Sequence, residues 1–228
     1  MQITIDNLPC EVRPGMTILE AAQENGIEIP TLCYLEQMEP LGACRMCVVE
    51  IEGAKSLVAA CSTPVTEDIK VHTHSAKVRK ARRTVIELLL SEHEGDCQIC
   101  ERGEDCELQS VANRMSVEKL RYPGEKPKSR SDVSTPALVR DTGKCIKCRR
   151  CINACSQIQN VGALHAQYRG YDTVIGPAFA SDLDSVVCVQ CGQCAAVCPV
   201  GAITEKSHME AVMEALEDEN RFVVVQTA

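Results

Sequence analysis

Cys145-Ile146-Lys147-Cys148-Arg149-Arg150-Cys151-Ile152-Asn153-Ala154-Cys155 decides how this chain is read. Three cysteines are separated by two residues each, and a fourth follows after three more. The spacing returns at Cys188-Val189-Gln190-Cys191-Gly192-Gln193-Cys194-Ala195-Ala196-Val197-Cys198, with Pro199 directly after it. Three thiolates this close can grip three corners of a polynuclear metal core if the loop wraps round it. Zinc sites favour cysteine pairs separated by longer loops.

The pattern C-x2-C-x2-C-x3-C resembles the run found in bacterial ferredoxins, where the first three cysteines bind one [4Fe–4S] cube and the fourth binds the other. It therefore groups Cys145, Cys148 and Cys151 with Cys198, and Cys188, Cys191 and Cys194 with Cys155. Such crossing holds two cubes close enough for electron tunnelling. Two departures stand: Ser156 follows Cys155 where a Pro is usual, and 32 residues, Ser156 to Val187, separate the runs. Neither removes a ligand.

Outward from these runs lie two further sets. Cys33, Cys44, Cys47 and Cys61 resemble the four ligands of plant-type [2Fe–2S] proteins, with a longer first gap. Gly42 and Ala43 beside Cys44 leave room for a loop to pass close to inorganic sulfide and donate amides to it. A four-cysteine zinc site or scattered core cysteines are the alternatives there. His93, Cys97, Cys100 and Cys106 could hold zinc or a third cube; their place between two iron–sulfur modules favours the cube. Cys10 is left over and is expected as a buried thiol on a strand. His72, His74, His165 and His208 match no cysteine pattern and are expected at the surface or hydrogen-bonded.

Composition agrees. The 228 residues include 16 cysteines, no Trp and two Phe, so large apolar side chains are scarce and clusters would cross-link several small modules. No signal peptide or membrane span is legible, and a cysteine-rich chain in a reducing cytoplasm reads as metal-binding. The net charge of −8 argues against nucleic acid. The basic residues between Lys77 and Arg83 read as a solvated helix face.

Residues 2–12 read as a hairpin turning at Asp6-Asn7, with Leu8, Cys10 and Val12 on one apolar face. Thr17-Ile18-Leu19-Glu20 is a capping box, opening a helix to about Asn25 that stops at Gly26. With later strands at Val48 to Ile51 and Leu57 to Ala60, this predicts an N-terminal β-grasp domain. Residues 77–92 form a helix on a stripe of Val78, Ala81, Val85, Leu88 and Leu89, with Ser75 as its cap. A short helix is expected near Leu108 to Met115, a last one over Met209 to Glu217, and a strand at Phe222 to Val225. The expected class is α+β: 1–75 a [2Fe–2S] domain, 76–121 a [4Fe–4S] domain with one His and three Cys ligands, 122–136 a linker, 137–208 a two-[4Fe–4S] ferredoxin-like domain, and 209–228 a helix and tail.

This order of modules, with Cys106-Glu107-Leu108-Gln109 closing the second, resembles the N-terminal part of the large subunit of NAD(P)-linked [FeFe]-hydrogenases. It is also similar to the diaphorase-side small subunit of NAD-reducing [NiFe]-hydrogenases and to the start of NAD-dependent formate dehydrogenase. The first two modules look like the start of the large iron–sulfur subunit of complex I. The resemblance implies an electron-transfer subunit with one [2Fe–2S] and three [4Fe–4S] clusters. Its implied partners are a flavin/NAD(P)-binding subunit, a hydrogenase catalytic subunit and, in bifurcating members, ferredoxin. The tail from Ser207 looks like the lead-in to a hydrogenase catalytic domain. There is no G-x-G-x-x-G, no P-loop and no spare cysteine set, so the expectation is a wire without a catalytic site of its own. A colourless zinc-stabilised interaction scaffold is the competing expectation.

Overall fold

The computed structural model describes residues 2–36, 38–118, 120–122, 124, 126 and 128–226. Expectations for Met1, for Pro123, Glu125 and Pro127 in the linker, and for Thr227 and Ala228 in the tail lie outside these residues.

Strands β1 (Gln2–Ile5) and β2 (Leu8–Glu11) form the expected hairpin. Asp6 and Asn7 both take positive φ, 47° and 70°, the left-handed pair that matches the twist of the flanking strands. Ile3, Ile5, Cys10 and Val12 are buried. Leu8, expected on that face, is 55 % exposed because it stands at the turn end of an edge strand.

Helix α1 (Ile18–Glu24) begins as the capping box requires. The Glu20 amide donates to Thr17 Oγ1 at 3.2 Å, and the Thr17 amide donates to Glu20 Oε2 at 2.7 Å. It ends before Gly26, whose φ of +68° an L side chain would resist. Strands β3 (Val48–Ile51), β4 (Val58–Ala59) and β5 (Lys70–His72) complete a sheet of order β2-β1-β5-β3-β4, with β5 parallel to β1. The strand expected through Ala60 stops one residue early, and a 3-10 turn over Ala60–Ser62 carries Cys61. Ile18, Leu19, Ala21 and Ala22 pack α1 into one core with Ile3, Val49, Val71, Cys47 and Cys61.

Helix α2 (Ala76–Glu92) starts where Ser75 Oγ accepts the Val78 amide at 3.3 Å. Its inner face is rotated from the expected stripe. Val78, Arg82 and Ile86 are buried at four-residue steps, with Glu87 and Ser91, while Leu88 is exposed. Lys77, Arg79, Lys80 and Arg83 are exposed as expected, but Arg82 is not: its Nη2 donates to the Val48 carbonyl at 2.9 Å. Glu87 is held inside by Arg83 at 3.1 Å and Arg121 at 2.6 Å. Helix α3 (Glu107–Arg114) packs on α2 through Leu108, Val111 and Ala112.

The expected linker does not stay irregular to residue 136. Strand β6 (Ser131–Asp132) pairs with β7 (Leu138–Asp141), because Asp132 is drawn inside to Arg140 at 3.3 Å. Helix α4 (Arg150–Asn153) runs on as a turn of π-helix over Ala154–Ile158, which Ser156 permits and Pro would interrupt. The insertion forms a small hairpin, β8 (His165–Gln167) and β9 (Val174–Gly176). Helix α5 (Gln193–Ala196) follows, and β10 (Ile203–Glu205) returns to β7. Helix α6 (Met209–Glu217) lies where expected and buries no residue. Phe222 to Val225 do not form the expected strand; among the described residues no neighbouring strand offers its backbone a partner. No helix among the described residues is long and apolar enough to cross a membrane.

Candidate iron–sulfur sites

The two cysteine runs build matching loops. Each turns into positive φ at the second and fourth residue after its first cysteine: Lys147 and Arg149 in one run, Gln190 and Gly192 in the other. Successive amides then face inward, as in anion-binding nests; the Lys147 amide donates to Cys145 Sγ at 3.4 Å. Two small cavities lie inside these loops. Cys145, Cys148, Cys151 and Cys198 line the first, and Cys155, Cys188, Cys191 and Cys194 line the second. The fourth cysteine of each run thus stands at the cavity of the other.

These thiols are poor acids on their own. Burial pushes Cys145 up to about 11 and Cys148 and Cys194 up to about 12, and Cys151 is raised by burial and then by its cysteine neighbours. Such thiols ionise when a cation takes the place of their protons. The donor set fits iron: soft sulfurs, apolar walls and amides aimed at sulfur. Among the described residues no three His, Cys, Asp or Glu side chains converge to hold a single metal ion. The cysteines stand around cavities instead.

Cys33, Cys44, Cys47 and Cys61 are all buried and joined by hydrogen bonds. Thiols of Cys44 and Cys61 donate to Cys33, which lowers Cys33 and raises both donors; Cys61 likewise lowers Cys47. The Cys44 amide adds a bond to Cys33 Sγ at 3.5 Å, and positive φ at Gly42 and Arg45 shapes the loop. Cys10 is buried, as expected, in the core that holds Cys47 and Cys61; its thiol donates to the Leu8 carbonyl at 3.5 Å, and burial raises it.

Cys97, Cys100 and Cys106 surround a loop that only glycine fits at Gly103, where a β-carbon would lie 2.7 Å from the Cys97 carbonyl. Cys106 is raised by burial, then by the nearby Cys100 and Cys97. His93 ends α2 with Nδ1 buried and without a hydrogen-bond partner. A buried ring nitrogen without a partner is what a metal-ligating histidine offers its metal. Burial, then the charges of Lys126 and Lys144, lower its affinity for a proton and keep the ring in the neutral, ligand-competent form. A β-carbon at Gly201 would be 2.7 Å from Cys100 Sγ and 3.7 Å from the Lys144 side chain.

The sites adjoin one another. Arg102 donates to the Cys198 carbonyl at 2.7 Å, and the Glu107 amide to that of Pro199 at 3.0 Å. Cys44 and Cys145 line one cleft with Leu88, Leu89 and Glu92 of α2. His72, His74 and His165 stand apart from the cysteines' cavities, and His208 bonds the Pro136 carbonyl at 2.8 Å. Sequence reasoning missed the buried arginines beside the sites, Arg82, Arg140 and Arg150. The signal that could have found one of them is position: Arg82 sits four residues from both Val78 and Ile86.

The fold is similar to that of a solved structure of an NAD+-reducing [NiFe]-hydrogenase in the H2-reduced state. One of its chains superposes with a TM-score of 0.84 at 33 % identity, covering 90 % of this chain and 87 % of that one. The chain belongs to the iron–sulfur electron-transfer subunits of NAD(P)-linked hydrogenases and complex I-like oxidoreductases. Three family matches tile this iron–sulfur protein: a 2Fe-2S iron-sulfur cluster binding domain over residues 1–76, the NADH-ubiquinone oxidoreductase-G iron-sulfur binding region over 82–121, and a 4Fe-4S dicluster domain over 144–202. Among curated relatives, the NADP-reducing hydrogenase subunit HndD of Solidesulfovibrio fructosivorans is 46 % identical over all of this chain and 40 % of its own. An NADH-quinone oxidoreductase chain of Rhizobium meliloti is 38 % identical over 89 % of this chain and 24 % of its own. The NADPH-Fe(3+) oxidoreductase subunit alpha of Geobacter sulfurreducens is 36 % identical over 90 % and 24 %. This iron–sulfur protein thus spans less than half the length of these curated relatives.

Proposed function

We propose that this chain conducts single electrons through one [2Fe–2S] cluster and three [4Fe–4S] clusters, between a flavin/NAD(P)-binding subunit and a hydrogenase catalytic subunit. The ligands are Cys33, Cys44, Cys47 and Cys61 for the two-iron cluster. Those of the cubes are His93, Cys97, Cys100 and Cys106; Cys145, Cys148, Cys151 and Cys198; and Cys188, Cys191, Cys194 and Cys155. The observation that carries this reading is the pair of crossed cavities, each lined by three cysteines of one run and one of the other. Bound clusters supply the one-electron chemistry. The protein fixes their spacing, aims amides at sulfur and shields the path with the shared core.

The sheet order β2-β1-β5-β3-β4 over α1 supports a β-grasp domain at 1–75. A [4Fe–4S] domain at 76–121, a linker at 122–136 that ends in β6, a two-cube domain at 137–208 and a tail at 209–228 complete the proposed division. Cys97 and Cys191 are exposed, beside Ile99 and Val189. This supports entry or exit of electrons at those two edges, with ferredoxin as one further partner and the reducing cytoplasm as the location.

The test is metal analysis and EPR of the complex purified anaerobically through this chain. Roughly 14 iron atoms for the chain itself, from one two-iron and three four-iron clusters, is the expected outcome. A colourless, zinc-loaded protein overturns it. Nickel in the complex identifies a [NiFe] partner, iron beyond the sum of clusters without nickel an [FeFe] one, and molybdenum or tungsten a formate dehydrogenase.

A further inference from the structure

Arg82 lies inside the molecule, 2 % exposed. Its Nη2 donates to the carbonyl of Val48, the residue after Cys47, and its Nε has no partner. Three other buried arginine Nε atoms share that lack, but their guanidinium groups have carboxylates. Arg102 has Asp105 at 3.5 Å, Arg140 has Asp132 at 3.3 Å, and Arg150 has Glu107 at 2.9 Å. Among the described residues Arg82 has no carboxylate at ion-pair distance.

A buried cation without a counter-charge is strongly unfavourable. Burial accordingly lowers Arg82 to about 10, and the negative group that opposes this most is the Cys47 sulfur, ahead of Asp6. The Asp6 carboxylate is itself engaged by the Thr73 amide at 2.8 Å. Arg114 acts in the opposite sense, and it has its own partner in Glu28. What is missing beside Arg82 is therefore an anion on the Cys47 side. An all-cysteine two-iron cluster carries a charge of about −2 when oxidised and about −3 when reduced.

We propose that Arg82 is the internal counter-charge of the cluster held by Cys33, Cys44, Cys47 and Cys61, a positioning residue that favours its reduced form. This rests on the two-iron reading of those cysteines. One electron from an external reductant enters the cluster and no proton accompanies it. The fixed cation attracts the more negative reduced form more strongly, so the midpoint rises. The guanidinium can bond the Val48 carbonyl through Nη2 and still carry its charge.

The experiment compares full-length wild type, R82Q and R82K, loaded with iron and titrated anaerobically against potential. The reduced two-iron EPR signal is followed. Gln keeps a donor for the Val48 carbonyl without the charge; Lys keeps the charge. In R82Q the reduced-to-oxidised ratio at the wild-type midpoint falls about tenfold, which is 59 mV for one electron, while R82K stays near wild type. If R82Q fails to hold the two-iron cluster and R82K holds it, the charge is required for loading, which also supports the proposal. R82Q loaded at the wild-type midpoint overturns it, as does R82K behaving like R82Q, since shape rather than charge is then what matters. Absence of a two-iron signal from the wild type overturns the ligand reading as well, and is recognised because it precedes any substitution.

Discussion

His93 carries a buried Nδ1 with no hydrogen-bond partner. A neutral imidazole in place of a thiolate removes one negative charge from the cluster it binds, which raises the potential. His93→Cys therefore lowers the midpoint of that cluster, in a potentiometric EPR titration; an unchanged or higher value contradicts the assignment. The Arg140–Asp132 pair makes a different prediction. Both side chains are almost fully enclosed, 4 % and 1 % exposed. Asp132→Asn strands the guanidinium and costs about 3–5 kcal/mol. Burial pushes the Asp132 carboxyl up, but Ser134, Leu183 and Arg140 bring it net below its ordinary range. Its stabilisation is thus complete above the unfolded value of about 4 and fades as pH falls through the lower folded value. Denaturant titrations of both proteins should show a gap at pH 7 that narrows below pH 4. The cysteines and His93 were legible as single residues because ligand spacing is local. Arg82 and Asp132 were not, because a basic run and a Pro-rich segment look solvent-facing until the partner that draws one residue inward is known.

Helix α2 is the element that joins the modules. Arg82 reaches back to Val48, Ile86 enters the core shared with Leu108 and Leu138, and Glu87 ties down Arg121. Ile86→Ala removes a fully enclosed side chain from that core and should cost about 2–5 kcal/mol in equilibrium unfolding. Leu88→Ala, on the exposed side, should cost far less. Both helix starts were legible, since Thr17-x-x-Glu20 and Ser75 are caps with a local mechanism. The rotation of α2 was not: Val85, Leu88 and Leu89 make a convincing stripe alone, and only the position of the sheet decides that Arg82 is inside. Phe222 to Val225 misled for the same reason, since strand propensity cannot supply a neighbouring strand.

For the whole molecule, the cores of the two ends differ in what sustains them. Isoleucine, leucine and valine side chains fill the sheet-and-helix core of the first module. The later core mixes its leucines, isoleucines and valines with Cys148, Cys151 and Cys198, has Cys145, Cys188 and Cys194 at its border, and encloses both crossed cavities. Stripping iron with a chelator under reducing conditions should therefore loosen residues 137–208 first and leave β1 to β5 protected, as hydrogen exchange would report. The crossed grouping of cysteines was legible through the resemblance of the two runs to those of bacterial ferredoxins, and the linings of the two cavities agree with it. The cleft shared by Cys44 and Cys145 was not, since no local pattern encodes how one module rests on another.

The crossed loops also change what the intervening peptide is for. Under the proposed ligation each cube is held from both sides of the 32 residues between Cys155 and Cys188. A protease that cuts once near the exposed Phe179 would break the backbone without parting the halves. The two cubes would act as a clasp beside the β7–β10 pairing, and a chelator would weaken the hold of the fragments on one another on a native gel. In that sense the inorganic core, together with the pairing of β7 with β10, makes this end of the protein one body.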